Sequence, residues 1–244
     1  MRMSPASLPR RALAEFTGTA ALVAVIVGSG LRADALSQDI GVRLIANAAA
    51  SAIGLGLLIA LIGPLSGAHL NPVVTLSEWW TRRTRDHRNG GREALAYIAA
   101  QLGGAVAGAL LAEAMFGRAP GAGLATARRA ELHLLLGEAV ATAGLVLVVQ
   151  GLRRIGRPSL APVAVAGYIG AAIWFTSSGS FANPAATVGR AFSDSFTGIA
   201  PGSVPAFAAA QLLGMLLGMG VSVLLYGTDR AASEPKPAES RRTE

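Results

Sequence analysis

Two short polar cassettes in apolar surroundings are the residues of this sequence best placed to do chemistry. The first contains Asn71-Pro72-Val73 and the second contains Asn183-Pro184-Ala185. An Asn followed by Pro is typical of a helix start, because the Asn side chain caps free N–H groups and Pro suits the first helical position. We therefore expect each cassette to begin a short helix and to offer its side-chain amide as a hydrogen-bond donor.

Other reactive groupings are missing from the sequence. It contains no cysteine and only three scattered histidines, which excludes disulfides, thiolate chemistry and cysteine-ligated metals. It also lacks a nucleotide-binding loop and a Ser/Lys or paired-Asp motif. We therefore predict no metal, no cofactor and no enzymatic activity.

The composition is that of an integral membrane protein. Of the 244 residues, 52% are hydrophobic and 14% are charged, whereas a soluble domain carries roughly a quarter charged residues. A spanning helix needs about 20 apolar residues. Six segments carry at most one charge and are long enough, and they are residues 12–31, 44–77, 94–112, 132–152, 158–189 and 195–228.

Two of these segments are too long for a single helix, and in both the surplus contains an Asn-Pro cassette. Non-helical backbone at membrane depth is tolerated only where protein or a water-filled cavity satisfies its polar groups. We therefore expect both cassettes to line an aqueous path through the lipid bilayer. The Lys and Arg residues concentrate on the side of the N-terminus, which predicts that both termini are cytoplasmic. This placement indicates a membrane protein and no nucleic-acid partner.

The chain is organised as a repeat. In each half a Glu, an Asn-Pro cassette and a Gln follow in the same order: Glu15, Asn71 and Gln101, then Glu138, Asn183 and Gln211. Each half holds three spans, an odd number, so the halves enter the membrane in opposite orientations about an axis in the membrane plane. The predicted fold is an all-α membrane protein with six transmembrane helices and two re-entrant half-helices in an inverted three-plus-three repeat.

The chain resembles the aquaporin and glycerol-facilitator family over residues 12–226. The resemblance depends on the two Asn-Pro cassettes, called boxes from here on, on the sequence Ser-Gly-Ala-His-Leu-Asn-Pro that ends at Pro72, and on the Glu repeated in each half. The resemblance implies a channel for water and small neutral solutes, usually a homotetramer with one pore per subunit. Asn71 and Asn183 would direct N–H donors at a permeating oxygen. The positive helix N-termini would disfavour cations and protons.

The resemblance also implies a selectivity constriction, which departs from the family pattern. An Arg normally follows the second box directly, but Ala186 stands there. Counting from the two boxes puts the other positions at Ser51, Ala171 and Ser180, all small. Such a wide constriction resembles that of bacterial aquaglyceroporin-like channels associated with arsenic-resistance operons. We expect passage of water, glycerol-like polyols, urea, and arsenous acid or methylated arsenicals in a bacterial inner membrane.

The domain boundaries follow from these patterns. We predict a cytoplasmic tail over residues 1–10 and a channel domain over residues 11–226, with repeats at about 11–117 and 131–226. Residues 227–244, rich in Ser, Pro and charge, are predicted to be a disordered cytoplasmic tail.

Two features leave alternatives open. Glu15 and Glu138 are either carboxylates of a proton-coupled transporter or structural acceptors for the backbone of the two loops, and the second interpretation is favoured. Arg190 either stands in for the missing charge at the outer vestibule or pairs with Asp194 at the i,i+4 spacing. We favour the ion pair.

Overall fold

A computed structural model describes residues 6–83, 90–119 and 123–227. Six helices in these ranges are long and apolar enough to cross a membrane, which confirms the predicted spans. In chain order the helices are α1 (Leu8–Leu36), α2 (Ile40–Ser66), α3 (Pro72–Arg83), α4 (Gly90–Met115), α5 (Leu132–Arg154), α6 (Ala161–Phe175), α7 (Pro184–Arg190) and α8 (Val204–Tyr226).

The described structure covers parts of both predicted tails. Helix α1 begins at Leu8, inside the segment 1–10 predicted as a tail, because Pro9 can occupy the first turn of a helix. Of the predicted tail 227–244, only Gly227 lies within the described residues. We call the side where α1 begins and α8 ends the terminal face. The opposite side, which carries the described residues between α4 and α5, is the loop face.

The two short helices start where the Asn-Pro cassettes predict. Asn71 Oδ1 accepts a hydrogen bond from the N–H of Val73 at 3.0 Å, at the start of α3. Asn183 Oδ1 caps α7 by accepting from two N–H groups of its first turn, at 3.0 and 3.2 Å. The half-helices differ in length, with 12 residues in α3 and seven in α7.

The helix packing follows the inverted repeat. Helices α1 and α4 pack together in the first half as α5 and α8 do in the second, and α3 contacts α4 as α7 contacts α8. The halves interlock because α7 also packs on α4 and α3 on α8. The predicted three-plus-three architecture is therefore confirmed.

Glycines at equivalent places bring the paired helices together. A Cβ at Gly104 or Gly108 of α4 would overlap backbone carbonyl oxygens of α1, and one at Gly214 or Gly218 of α8 would overlap those of α5. Helix backbones approach this closely only where small residues face each other. We call these two close contacts, α4 on α1 and α8 on α5, the glycine seams. They bring the outer helices together around the two half-helices.

Candidate functional site

The two Asn side chains meet between the halves, and each is bonded to the opposite loop. Asn71 Nδ2 donates to the carbonyl of Ala182 at 2.8 Å, and Asn183 Nδ2 donates to the carbonyl of Leu70 at 2.8 Å. A side-chain amide carries two N–H donors. Each Asn therefore has a second donor to offer to the cavity that both residues line.

The loops that lead to the boxes have the same unusual backbone. Ala68 and Leu70 have φ angles of 48° and 50°, and Ser180 and Ala182 both have 47°. This left-handed region costs a non-glycine residue roughly 1–2 kcal/mol. Because four such residues occur at matching places, the surrounding structure must hold both loops firmly.

Buried carboxylates provide that support. Each accepts two backbone N–H groups of the loop in its own half: Glu15 those of His69 and Leu70 at 3.0 and 2.7 Å, and Glu138 those of Phe181 and Ala182 at 2.8 and 2.9 Å. Both carboxylates are fully buried, and neither lines the cavity. Each carboxylate therefore fixes the backbone of the loop in its own half.

A Gln from the third span of each half joins every carboxylate to its half-helix. Gln101 Nε2 donates to Glu15 at 2.8 Å and to Thr75 at 2.9 Å, and Gln211 Nε2 donates to Glu138 at 2.6 Å and to Thr187 at 2.9 Å. Removing either Gln would leave a buried acceptor short of a donor. The same brace therefore fixes both re-entrant loops.

A cavity of about 510 Å³ runs past both boxes. It reaches Glu78 towards the terminal face and Arg190 towards the loop face. In the described parts of the chain, the carbonyl oxygens of residues 67–69 and 179–181 accept no hydrogen bond. Those residues line the cavity, so their carbonyls can accept hydrogen bonds from a solute.

Three of the four predicted constriction residues line this cavity, namely Ser51, Ser180 and Ala186. Ala171 does not, and its prediction needs correction. It is exposed on α6, while Ile169 and Ile173 contribute to the cavity wall from that helix. Residues four apart share a helix face and the residue midway points elsewhere, so counting along the sequence selected the wrong side of α6.

Aromatic residues occupy two further places at the cavity. His69 lines it, with Nδ1 3.1 Å from the Thr75 hydroxyl and its ring edge-to-face with Tyr97. Trp174 lines the cavity and is also 53% exposed. The ring of His69 is therefore held by contacts with two different helices.

The cavity mouth at the terminal face holds a carboxylate between two arginines. Glu78 Oε2 lies 3.1 Å from Arg153 Nη1 and 3.8 Å from Arg82 Nε, and all three residues line the cavity. Gln150 donates to the same carboxylate group at 3.2 Å. A carboxylate therefore accompanies the arginines at this mouth.

The mouth at the loop face corrects the prediction for Arg190. Its guanidinium lies 3.2 Å from the centre of the Phe181 ring, and Nε donates to the carbonyl of Thr197. Asp194 instead accepts hydrogen bonds from Thr126. The i,i+4 pair does not form because α7 ends at Arg190, so residue 194 is not one helical turn further on.

A second arginine at this mouth was not singled out from the sequence. Arg129, from the segment between α4 and α5, lines the cavity and lies 5.5 Å from the centre of the Phe181 ring. Burial lowers the pKa of its guanidinium, and the charges of Glu138 and Glu131 oppose that shift. No local sequence pattern links this residue to Arg190, so only the fold could bring them together.

Comparison with known proteins agrees with this architecture. Residues 2–177 match the sequence model of the Major intrinsic protein family. The chain is 42% identical over 220 residues to aquaglyceroporin AqpS of Rhizobium meliloti, covering 90% of this chain and 91% of that protein. It is 35% identical over 195 residues to probable aquaporin TIP3-2 of Oryza sativa, covering 78% and 71%.

A solved structure shows the same fold. The X-ray structure of the aquaglyceroporin from Plasmodium falciparum superposes with a TM-score of 0.66 and 21% sequence identity. The superposition covers 93% of this chain and 98% of the Plasmodium chain. The arrangement of six spans and two half-helices is therefore shared with this channel.

Proposed function

Because this chain belongs to the major intrinsic protein family, whose members are channels and not enzymes, we propose that it passes small uncharged solutes through a wide constriction without the usual Arg. The proposed solutes are water, glycerol-like polyols, urea, and arsenous acid or methylated arsenicals. The name of the Rhizobium relative, aquaglyceroporin, supports water and glycerol. The small residues at the constriction support the larger solutes.

The crossed pair of Asn side chains is the observation that carries the proposal. A water oxygen between Asn71 and Asn183 can accept a hydrogen bond from both amides, so its own hydrogens point away along the cavity in both directions. This orientation interrupts a chain of proton transfers. The N-termini of α3 and α7 add positive partial charge at the same point, which disfavours cations.

Two serine side chains lie beside the cavity at the constriction. Ser51 and Ser180 line the cavity, and within the described residues neither hydroxyl has a hydrogen-bond partner. A buried hydroxyl without a partner is costly unless something else bonds to it. We propose that permeating water or polyol hydroxyls supply that bond, while Ala186 leaves room beside them.

A proton-coupled transporter that uses Glu15 and Glu138 is the alternative. Both carboxylates are bound to backbone N–H groups and to a Gln, and they lie away from the cavity. A carboxylate that binds and releases protons during transport needs access to the solute path. The contacts therefore favour the passive channel.

The chain is a multi-pass membrane protein, and we propose that it lies in the inner membrane of a bacterium with both termini cytoplasmic. The excess of Lys and Arg in the segments of the terminal face supports this orientation. The family resemblance supports a homotetramer. Exposed apolar side chains, including Leu57, Leu61 and Leu224, suit contact with lipid or with another subunit.

The first experiment measures flux through the purified protein. Stopped-flow light scattering on proteoliposomes should show water and glycerol permeability severalfold above empty vesicles, with a glycerol rate that does not saturate. Permeability equal to that of empty vesicles for every solute would contradict the proposal. Saturating flux that is abolished by Glu15→Gln at equal protein level would instead support the transporter.

A substitution tests the constriction. Ala186→Arg should reduce glycerol and urea flux sharply while water permeation stays detectable, because a long charged side chain narrows the cavity at this point. Gly202→Arg is the matched control, since it adds the same charge on the loop face where open space surrounds the glycine. Equal glycerol flux in both variants would place Ala186 outside the solute path.

A further inference from the structure

The loop-face mouth lacks the Arg expected at position 186 but still contains two guanidinium groups. Ala186 and Arg190 lie on the same short helix, one turn apart, and both line the cavity. Arg129 reaches the cavity from another segment. The positive charge of this mouth has therefore a different source from the residue that follows the second box.

Both guanidinium groups are fixed by the same neighbours. Phe181 presents its ring to each, at 3.2 Å for Arg190 and 5.5 Å for Arg129. Backbone carbonyls of residues 196–198 accept from both side chains, with Arg129 Nε 3.0 Å from the carbonyl of Gly198. Arg190 is only 8% exposed, so it cannot swing away into solvent without breaking these contacts.

Arg190 and Arg129 form no salt bridge within the described ranges, since neither guanidinium lies within ion-pair distance of an Asp or Glu there. Glu138 is near enough to influence both arginines, but its oxygens accept three hydrogen bonds from two backbone N–H groups and Gln211. Because a guanidinium keeps its proton in proteins, this mouth holds two positive charges on which Glu138 and Glu131 act only from a distance, without an ion pair.

We propose that Arg190 and Arg129 together form the cation filter of this channel, displaced from the position after the second box. The inference deepens the proposed function and rests on it. Fixed positive charges beside a narrow, low-dielectric passage lower the local concentration of cations and raise that of anions. Moving the charge one turn away from Ala186 excludes cations and leaves the constriction wide enough for solutes larger than water.

The experiment compares two permeabilities in the same proteoliposomes, potassium by a fluorescent indicator and glycerol by light scattering. Arg190→Gln keeps a donor for the carbonyl of Thr197 but removes the charge. We expect the potassium-to-glycerol permeability ratio to rise by about tenfold. Arg129→Gln should raise it by a smaller factor, because this side chain is only half-buried and water screens its charge more than that of Arg190.

Arg128→Gln is the matched control. Arg128 is exposed, carries the same charge in the same segment and does not line the cavity. The potassium-to-glycerol permeability ratio of Arg128→Gln should equal that of the unaltered protein. A rise as large as that of Arg190→Gln would mean that general surface charge sets the ratio, and would overturn the proposal.

A rescue variant separates charge from structure. Adding Ala186→Arg to Arg190→Gln restores a positive charge at the usual place, so the potassium-to-glycerol ratio should fall again while glycerol flux declines.

An unchanged ratio in Arg190→Gln and Arg129→Gln, with glycerol still passing, would overturn the proposed cation filter and leave the proposed channel function intact. Loss of folded protein in both variants would show a structural role and also overturn it. Absence of glycerol flux in the unaltered protein would instead refute the channel.

Discussion

The loop before α3 and the loop before α7 are built on the same hydrogen bonds, whereas the cavity mouths to which they lead differ in charge. In each loop a buried Glu accepts two N–H groups, a Gln braces the Glu, and an Asn bonds to the opposite loop. At the terminal-face mouth Glu78 forms an ion pair with Arg153, but at the loop-face mouth Arg190 forms none with any described residue. The scaffold is duplicated and the mouths are not.

Ring pairs beside the two loops show the same division. His69 and Tyr97 meet edge-to-face with centroids 5.3 Å apart, and Phe181 and Phe207 meet in the same manner at 5.2 Å. The geometry is repeated while the first pair is polar and the second apolar. The apolar ring of Phe181 is the one that holds Arg190. Both halves must satisfy the same buried backbone N–H groups, whereas the side chains at the two mouths are not bound by that requirement and differ.

The largest expected effect tests the shared scaffold. Glu15→Ala and Glu138→Ala each remove the acceptor of two buried N–H groups and a Gln amide, so each should lower the free energy of unfolding by about 3 kcal/mol or more. Thermal unfolding in detergent and the yield of folded protein measure this loss. Destabilisation by only one of the two substitutions would show that the loops are not equivalent.

The glycine seams give the next effect. Gly108→Ala and Gly218→Ala place a Cβ against a backbone carbonyl of the facing helix, so each should destabilise the protein by about 2 kcal/mol. Gly220→Ala, in open space on α8, is the control and should be neutral or slightly stabilising. Equal melting temperatures for Gly218→Ala and Gly220→Ala would disprove close packing of α5 on α8.

The central boxes should respond alike to a change of charge. Asn71→Asp and Asn183→Asp replace a donor by a negative acceptor, break the bond to the opposite carbonyl and attract cations to the point where the half-helices meet. We expect a severalfold rise in potassium conductance in planar bilayers for both variants. A rise in potassium conductance in only one of the two variants would mean that one half alone forms the barrier to cations.

The smallest effect concerns the terminal-face mouth. Glu78→Gln leaves Arg153 without its carboxylate, so stability should fall by about 1 kcal/mol because the pair is partly exposed. The substitution also removes the negative charge from this mouth, so potassium permeability should not increase. The melting temperature and the potassium indicator assay measure the two outcomes. A higher potassium permeability would contradict the idea that charge balance distinguishes the mouths.

Much of the fold was accessible from the sequence because its signals are local. Apolar segments of spanning length located the six long helices, and each Asn-Pro pair located the start of a half-helix. The order of Glu, Asn and Gln in both halves indicated the inverted repeat. An odd number of spans per half then required opposite orientations of the halves, with no tertiary information.

Details of the cavity depend on the rotation and the end of individual helices. The prediction for Ala171 was wrong because hydropathy does not determine which side of α6, apolar all round, faces the cavity. The ion pair of Arg190 with Asp194 was wrong because α7 ends one turn too early. Helix ends and helix rotation follow from packing against neighbouring elements, which a single chain segment does not encode.

The sequence by itself thus determined the membrane class, the spans, the two boxes and the repeat, since hydropathy, capping and residue order act over short distances. Only the tertiary structure decided which side chains share the cavity. Arg129 and Arg190 belong to segments far apart in the chain, and they meet because α7 packs on α4 and the loop face closes over Phe181. Long-range contacts of this kind depend on how all the helices pack together.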